Sequence, residues 1–457
     1  MGFLMRRLGI RFVSDLFNNV LNRGKASVNM QPARRHVIFV TDPFSTHLLT
    51  SFRQWREKTA FIVSPNLSND PIFKGIDVYK PDELTPEMLG DYPIALFDDD
   101  KSLLPPQLSD FFAENKNRVV TLRQWVIEML EDPSVQISPE RVRLDICTRC
   151  QLNCASCYMR TDKRETTGIG HVTPSQFETF LIRNPNVRTI EISNSGEPFI
   201  HPQLHEILEI ADKYDVTLEC TNGANFNYVT DQVLEDLVRY RFKTIHIAID
   251  GASQETYSIY RRNGNFDKVI ANIRKLNEIK KRMKSERPEL VWQFIVMSHN
   301  YDDIPRAKEL AKELGMGIGF KETWDSKERN KLKIMLAERK TERDEGDSDN
   351  ARVPANKKIP SNYWCRILLT YPQINWDGRL LGCCVVYRSD WGVNVFDKGL
   401  VETLNTDLYR KTFLALLKGE TPPYRRSPCY SCKLRPPTPE EAEGVVTWRI
   451  PPVVDNN

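Results

Sequence analysis

Cys147, Cys150, Cys154 and Cys157 all fall within "CTRCQLNCASCY" (147–158), four of the chain's ten cysteines. Thiols this close have three chemistries open to them: a redox staple, a tetrahedral zinc site or an iron–sulfur site. Cys147/Cys150 and Cys154/Cys157 are two CxxC pairs that four thiolates could close around one zinc. Cys150, Cys154 and Cys157 also spell CxxxCxxC, three ligands that leave one iron of a four-iron cluster open. A second group, Cys365, Cys383, Cys384, Cys429 and Cys432, lies towards the C-terminus, and Cys220 stands alone. Two further metal candidates have simpler readings: "FDDD" (97–100) as a solvated acidic turn, and His201/His205 as ordinary helix packing.

The elements around these residues set the choice. "VRLDI" (142–146) reads as a strand running straight into the cysteine loop, and strands and amphipathic helices alternate from there to about 325. The later strands are "TIEIS" (189–193), "VTLEC" (216–220), "TIHIAID" (244–250), "WQFIVM" (292–297) and "GIGFKE" (317–322). Six strands in this order predict a partial (β/α)6 barrel over 136–325, with its chemistry at the C-terminal strand ends. Residues 31–132 hold five short apolar runs (36–40, 60–64, 76–80, 94–98, 118–122) between helical patterns, which predicts a doubly wound α/β domain. "TDPFSTHLL" follows its first strand where a glycine-rich phosphate loop would stand, so nucleotide binding there is not supported. An amphipathic helix is expected over 1–30, a charged linker over 326–360, a compact Cys-rich unit over 361–435 and a Pro-rich tail over 436–457.

Placed at a strand end, the CxxxCxxC triplet resembles that of the radical S-adenosylmethionine (SAM) superfamily. In that family the open iron takes the amino and carboxylate groups of the methionine part of SAM. Three later segments are similar to the family in order and spacing. Gly196-Glu197-Pro198 in "SNSGEPFIHP" resembles its GGEP segment, with Ser195 in place of the first glycine. "CTNGA" (220–224) resembles the TNG segment and would put Asn222 near the ligand. "IAIDGASQETYSIYRRNGNFDKV" resembles the fourth strand and its loop, with Asp250 at the strand end and Arg261 a candidate for the SAM carboxylate. The resemblance covers 140–325 and departs at Ser156, where the family carries an aromatic residue; Tyr158 is the compensating candidate. Cys147 has no counterpart as a ligand.

The later cysteines follow the pattern C-x12-G-x4-C…CxxC through Cys365, Gly378, Cys383, Cys429 and Cys432. This resembles the SPASM/twitch extension that carries auxiliary iron–sulfur clusters in part of the family. Further cysteines after the CxxC are lacking, so the shorter twitch form is implied, with one [4Fe–4S] cluster on Cys365, Cys383, Cys429 and Cys432. A zinc ribbon is the alternative, as is Cys384 in place of Cys383.

The whole composition agrees with a globular protein: charged residues make up 27%, mean hydropathy is −0.46 and net charge is +3. So small a charge argues against a dedicated nucleic-acid binder, and no long apolar run predicts a membrane span. The N-terminal stretch does not read as a signal peptide, and clustered cysteines without an export signal fit a reducing cytoplasm. The resemblance implies an enzyme that cleaves SAM reductively to a 5′-deoxyadenosyl radical and abstracts a hydrogen from its substrate. The auxiliary [4Fe–4S] cluster implies an oxidation or dehydrogenation of a small polar or carbohydrate-like substrate, with a low-potential electron donor such as flavodoxin or ferredoxin. The alternatives are a peptide maturase or epimerase, and a non-catalytic zinc-binding α/β protein.

Overall fold

The computed structural model describes residues 35–40, 43–65, 71–96, 105–160, 166–323, 325–341, 365–384 and 389–432. The expected helix over 1–30, the acidic turn 97–100, the linker beyond 341 and the tail 436–457 lie outside these residues.

The five apolar runs of the first unit form β1 (His36–Phe39), β2 (Thr59–Val63), β3 (Val78–Tyr79), β4 (Ile94–Leu96) and β5 (Val119–Thr121). They pair in parallel in the order β3-β2-β1-β4-β5, a doubly wound sheet. Continuous apolar runs are what a sheet buried on both faces requires. On one face Val37, Phe39, Phe61 and Ile94 pack with Leu108 and Phe112. On the other, Ile38, Ile62 and Ala95 join a core that continues through Trp125 into the rest of the molecule.

The second sheet is built from β6 (Arg141–Leu144), β7 (Thr189–Glu191), β8 (Thr217–Ala224), β9 (Thr244–Ala248), β10 (Glu289–Val296), β11 (Gly317–Glu322) and β12 (Gln373–Ile374). All pairs are parallel, in the order β11-β10-β9-β8-β7-β6-β12, so the barrel is open between its two edges. Six of the strands coincide with those expected. The seventh, β12, comes from the Cys-rich segment and extends the sheet beyond β6. Two residues in "YPQINW" carry no readable strand period; pairing with Arg143 and Leu144 alone makes them a strand.

Unlike the first sheet, these strands alternate. Val142, Leu144, Ile190, Leu218, Ile245, Ile247, Trp292 and Phe294 are buried in the apolar core. Arg143, Glu191, Glu219, His246, Gln293 and Lys321 occupy the alternate positions, so one side chain from each of six strands makes the inner wall polar. The outer helices are locally specified: Thr173 caps Pro174–Arg183 in a capping box with Gln176, and Thr230, Ser253 and Asn265 cap the helices at 231, 254 and 266. Each such cap contributes about 1 kcal/mol.

The expected linker begins as the helix Ser326–Thr341. After residue 364 the chain returns to the body. The helix Asp407–Lys418 lies on Leu122–Glu131, where Arg123 Nε donates to the Leu417 carbonyl at 2.5 Å. Asn405 and the backbone of Ile137 exchange two hydrogen bonds of 2.8 Å. The Cys-rich segment is thus fastened to both sheets.

Candidate active site

The cysteine loop leaves β6 and is held by its backbone. Asn153 N donates to the Arg262 carbonyl (2.9 Å) and Ala155 N to that of Tyr260 (3.2 Å), so the loop lies on the turn that follows β9. None of the ten cysteines is in a disulfide. Cys150 is exposed as a residue, yet its sulfur sits 3.7 Å from Asn225 Nδ2, and desolvation and the nearby Glu197 push the thiol up to about 12. Cys154 is buried, its sulfur 3.7 Å from Arg261 Nη1; burial raises its thiol and Arg261 pulls the other way. Cys157 closes the turn through its N–H to the Cys154 carbonyl (3.3 Å). Cys147 is fully buried, in a bridge to His171 beneath the loop.

Gly196 has φ +76°, and a Cβ there would stand 2.3 Å from the Cys147 carbonyl oxygen, so only glycine lets the two backbones approach. Glu197 follows, 2% exposed, its N–H on the Arg149 carbonyl (2.7 Å). Its carboxylate accepts from Asn225 N (2.7 Å) and Phe199 N (3.3 Å); burial nonetheless lifts it to about 7. Pro198 is buried beside it and opens a short turn. Asp250 is fully buried, accepting from Ile295 N (2.6 Å) and from Arg261 Nε (2.5 Å). Cys150, Cys154, Gly196, Glu197, Asp250 and Arg261 are therefore brought together, through Arg261 on one side and Asn225 on the other.

Two sequence candidates sit apart from this group. The Tyr158 hydroxyl donates to the Asn194 carbonyl (3.3 Å), and burial raises its pKa. Asn222 turns into the barrel, where its amide binds Glu191 Oε2 (3.1 Å) and Asn194 Oδ1 (3.3 Å). Ser156 donates to Asp325 Oδ2 (2.8 Å). His201 binds the Val172 carbonyl (2.8 Å) and accepts from Gln203 N (3.0 Å), while His205 binds Asp236 Oδ2 (2.9 Å), so each is spent on packing. Asn225, missed in the sequence, ties Glu197 to the Cys150 sulfur; the only signal was its place directly after the TNG segment.

Inside the barrel a polar chain runs from strand to strand. Lys321 Nζ donates to Gln293 Oε1 (2.6 Å), Gln293 Nε2 to the Asn222 carbonyl (3.1 Å), and Asn222 Nδ2 to Glu191. Arg143 Nε stands 3.8 Å from Glu191 Oε2, and its guanidinium lies 4.4 Å from the Tyr371 ring centroid.

The C-terminal thiols form a second group. Cys429 lies within electrostatic reach of Cys365, Cys383 and Cys432, and burial holds its thiol well above the ordinary value. Burial pushes Cys365 up to about 11, opposed by the Leu368 N–H. Cys383 lies with Cys429 and Cys365 near Tyr409, whereas Cys384 lies beside Arg143 while still within electrostatic reach of Cys365.

These residues fit iron–sulfur clusters by the chemistry of the donor sets. Burial raises the Cys150, Cys154, Cys365 and Cys429 thiols, so these stay protonated unless a metal's charge displaces the proton. Among the described residues no three or more His, Cys, Asp or Glu side chains converge as ligands of a single ion would. A cluster asks for something different, each thiolate taking its own iron.

Residues 144–312 match the Radical SAM superfamily. A stretch of 145 residues is 30% identical to the antilisterial bacteriocin subtilosin biosynthesis protein AlbA of Bacillus subtilis (strain 168), covering 31% of this chain and 31% of that protein. GTP 3′,8-cyclase of Chlorobaculum tepidum is 25% identical over 187 residues, 40% of this chain and 52% of the cyclase. The chain thus spans about a third of the first relative and about half of the second. The crystal structure of Streptococcus suis SuiB bound to S-adenosylmethionine aligns with a TM-score of 0.45 at 16% identity, over 65% of this chain and 69% of that one. Residues 144–312 are a radical SAM domain, the family whose enzymes use a [4Fe–4S] cluster and SAM.

Proposed function

We propose that this radical SAM domain serves an oxidation of a small polar substrate held inside the barrel. The observation that carries the reading is the second thiol group, Cys365, Cys383, Cys429 and Cys432, fastened to the barrel by β12. When bound, the cluster on Cys150, Cys154 and Cys157 supplies the electron for reductive cleavage of SAM. The chain's own residues do the rest. Glu197, the backbone of Gly196 and Pro198, and Arg261 braced by Asp250 offer an acceptor and a cation for the amino and carboxylate groups of SAM. Tyr158 and Asn222 stay SAM-binding candidates from the sequence, Asn222 through its tie to Glu191 in the polar wall.

Four cysteine ligands would close an auxiliary cluster to substrate and leave it suited to accepting an electron, which makes the net reaction a two-electron oxidation. A low-potential carrier such as a flavodoxin or ferredoxin would feed the catalytic cluster. Cys384 beside Cys383 reaches Arg143 in the barrel wall, linking the two ends of such a path.

Peptide modification is the second reading, favoured by the similarity to the bacteriocin biosynthesis protein AlbA. The doubly wound first unit and the polar barrel wall favour the small substrate. Anaerobic reconstitution tests both the class and the cluster count. About eight irons per chain and reductant-dependent 5′-deoxyadenosine are expected; a colourless protein that binds zinc and leaves SAM intact would overturn the assignment.

A further inference from the structure

The inner face of the edge strand β11 reads Gly317, Gly319, Lys321, because Ile318 and Phe320 turn outward into the apolar core. A Cβ at Gly319 would meet nothing within 4 Å, and one at Gly317 only Val291 Cγ2 at 3.9 Å. The register stacks three layers along this wall. Asp250 follows β9 at the level of Ile295 and Lys321, Ala248 lies level with Gln293 and Gly319, and His246 with Val291 and Gly317. Below Lys321, the edge strand therefore leaves open space beside Gly319 and Gly317.

The cations facing this space differ in one respect. Arg141 is paired with Glu219, and Arg143 faces Glu191 at 3.8 Å. Among the described residues no carboxylate stands within ion-pair distance of Lys321; its hydrogen bond goes to the neutral Gln293 carbonyl. Glu191 and Asp250, each already facing an arginine, attract it from farther off, and Arg143 repels it. His246, two residues down the neighbouring wall, makes no hydrogen bond and is held neutral by burial. A cation withdrawn from water with no carboxylate in contact is costly, and the protein bears that cost where a ligand supplies the contact.

We propose that Lys321 anchors an anionic group of the substrate, a carboxylate or a phosphate, in the unfilled space beside Gly317 and Gly319, with Arg143 as the second cation of the subsite. The inference rests on the radical SAM reading for the identity of its ligand as a substrate. Burial lowers the Lys321 amine to about 8, so an anion that binds it also holds its proton near neutral pH. Selectivity for an anionic substrate then comes from a buried cation that no described carboxylate contacts.

The test uses the full-length, anaerobically reconstituted protein and follows thermal unfolding with sodium phosphate or sodium acetate, at ionic strength held constant with chloride. The wild type is expected to gain roughly 2–4 °C at saturating anion. Lys321→Met should lose that response and unfold at or above the wild-type temperature without anion, because the unpaired charge is gone. Lys321→Arg should keep the response. A larger gain with phosphate assigns a phosphorylated substrate, a larger gain with acetate a carboxylated one. Three results would each overturn the proposal: equal responses in wild type and Lys321→Met, a Lys321→Met protein several degrees less stable without anion, or a tenfold loss of SAM affinity in that variant. The last would mean that Lys321 reads the SAM carboxylate instead. 5′-Deoxyadenosine formation in the same wild-type preparation reports separately on the enzyme reading, and its absence would leave the anion result standing.

Discussion

Arg261 stands with Nη1 3.7 Å from the Cys154 sulfur while its Nε holds Asp250 at 2.5 Å. The carboxylate sits at the end of β9 and the thiol in the loop after β6, so one guanidinium fixes the cysteine loop against the far wall of the barrel. A cation beside a thiol favours its ionised form, the form that binds iron. Arg261 therefore serves the loop, in addition to the part proposed for it in holding SAM.

Replacing Cys150, Cys154 and Cys157 together by Ala should abolish 5′-deoxyadenosine formation and leave about four irons bound on the C-terminal group. Iron analysis and product assay on one preparation check both halves. Continued SAM cleavage would sink the assignment of the triplet.

Cys147 lies fully buried beneath the loop with its carbonyl against Gly196. Cys147→Ala is expected to keep full iron content and visible absorption, at a packing cost of about 1 kcal/mol in denaturant unfolding. Loss of the loop cluster in this variant would instead make Cys147 a ligand.

Gly196→Ala asks for the opposite result. Its φ of +76° and the 2.3 Å approach of a Cβ to the Cys147 carbonyl leave no room for a side chain. A destabilisation above about 2 kcal/mol is expected, with loss of the loop cluster. A variant of wild-type stability and iron content would show that the loop and the Gly196 turn are not so closely joined.

His246 gives a pH signature. Burial lowers it from 6.5 to about 4, so the unfolded chain binds a proton that the native ring refuses across that window. Its stabilising share is complete above 6.5 and is lost as pH falls towards 4. From about pH 7.5 to about 5.5 the loss amounts to about 1 kcal/mol. His246→Gln should lose correspondingly less over that interval in urea titrations; parallel slopes would contradict the buried neutral ring.

Cys383 and Cys384 should separate cleanly. Cys383→Ala is expected to lower iron by about four per chain, and Cys384→Ala to leave it unchanged, since that side chain is given to Arg143. Cys220, fully buried in the core, is expected to tolerate Ala as well. Under the oxidase reading both variants turn over without incorporating solvent deuterium. Deuterium at the substrate carbon, lost in either variant, would identify a hydrogen-returning thiol and favour the epimerase.

The sequence by itself determined what local interactions dictate. The five short apolar runs read as strands of a parallel sheet, of which the edge strands β3 and β5 are only partly buried, and the six later ones placed the CxxxCxxC loop at a strand end. Spacing along the chain, a local quantity, singled out Cys150, Cys154 and Cys157 as a CxxxCxxC triplet, and its strand-end place and the family resemblance made it the candidate cluster site. Only tertiary structure decided what depends on distant segments meeting. β12 exists because Gln373 and Ile374 find the edge of β6. Asn225 joins the site because a bulge in β8 swings it onto Glu197 and Cys150. Adjacent cysteines at 383 and 384 look alike in sequence, yet packing sets Cys383 near Tyr409 with Cys429 and Cys384 beside Arg143, within reach of Cys365. That no described carboxylate contacts Lys321 was equally invisible, because an ion pair is a relation between strands and no single strand encodes its absence.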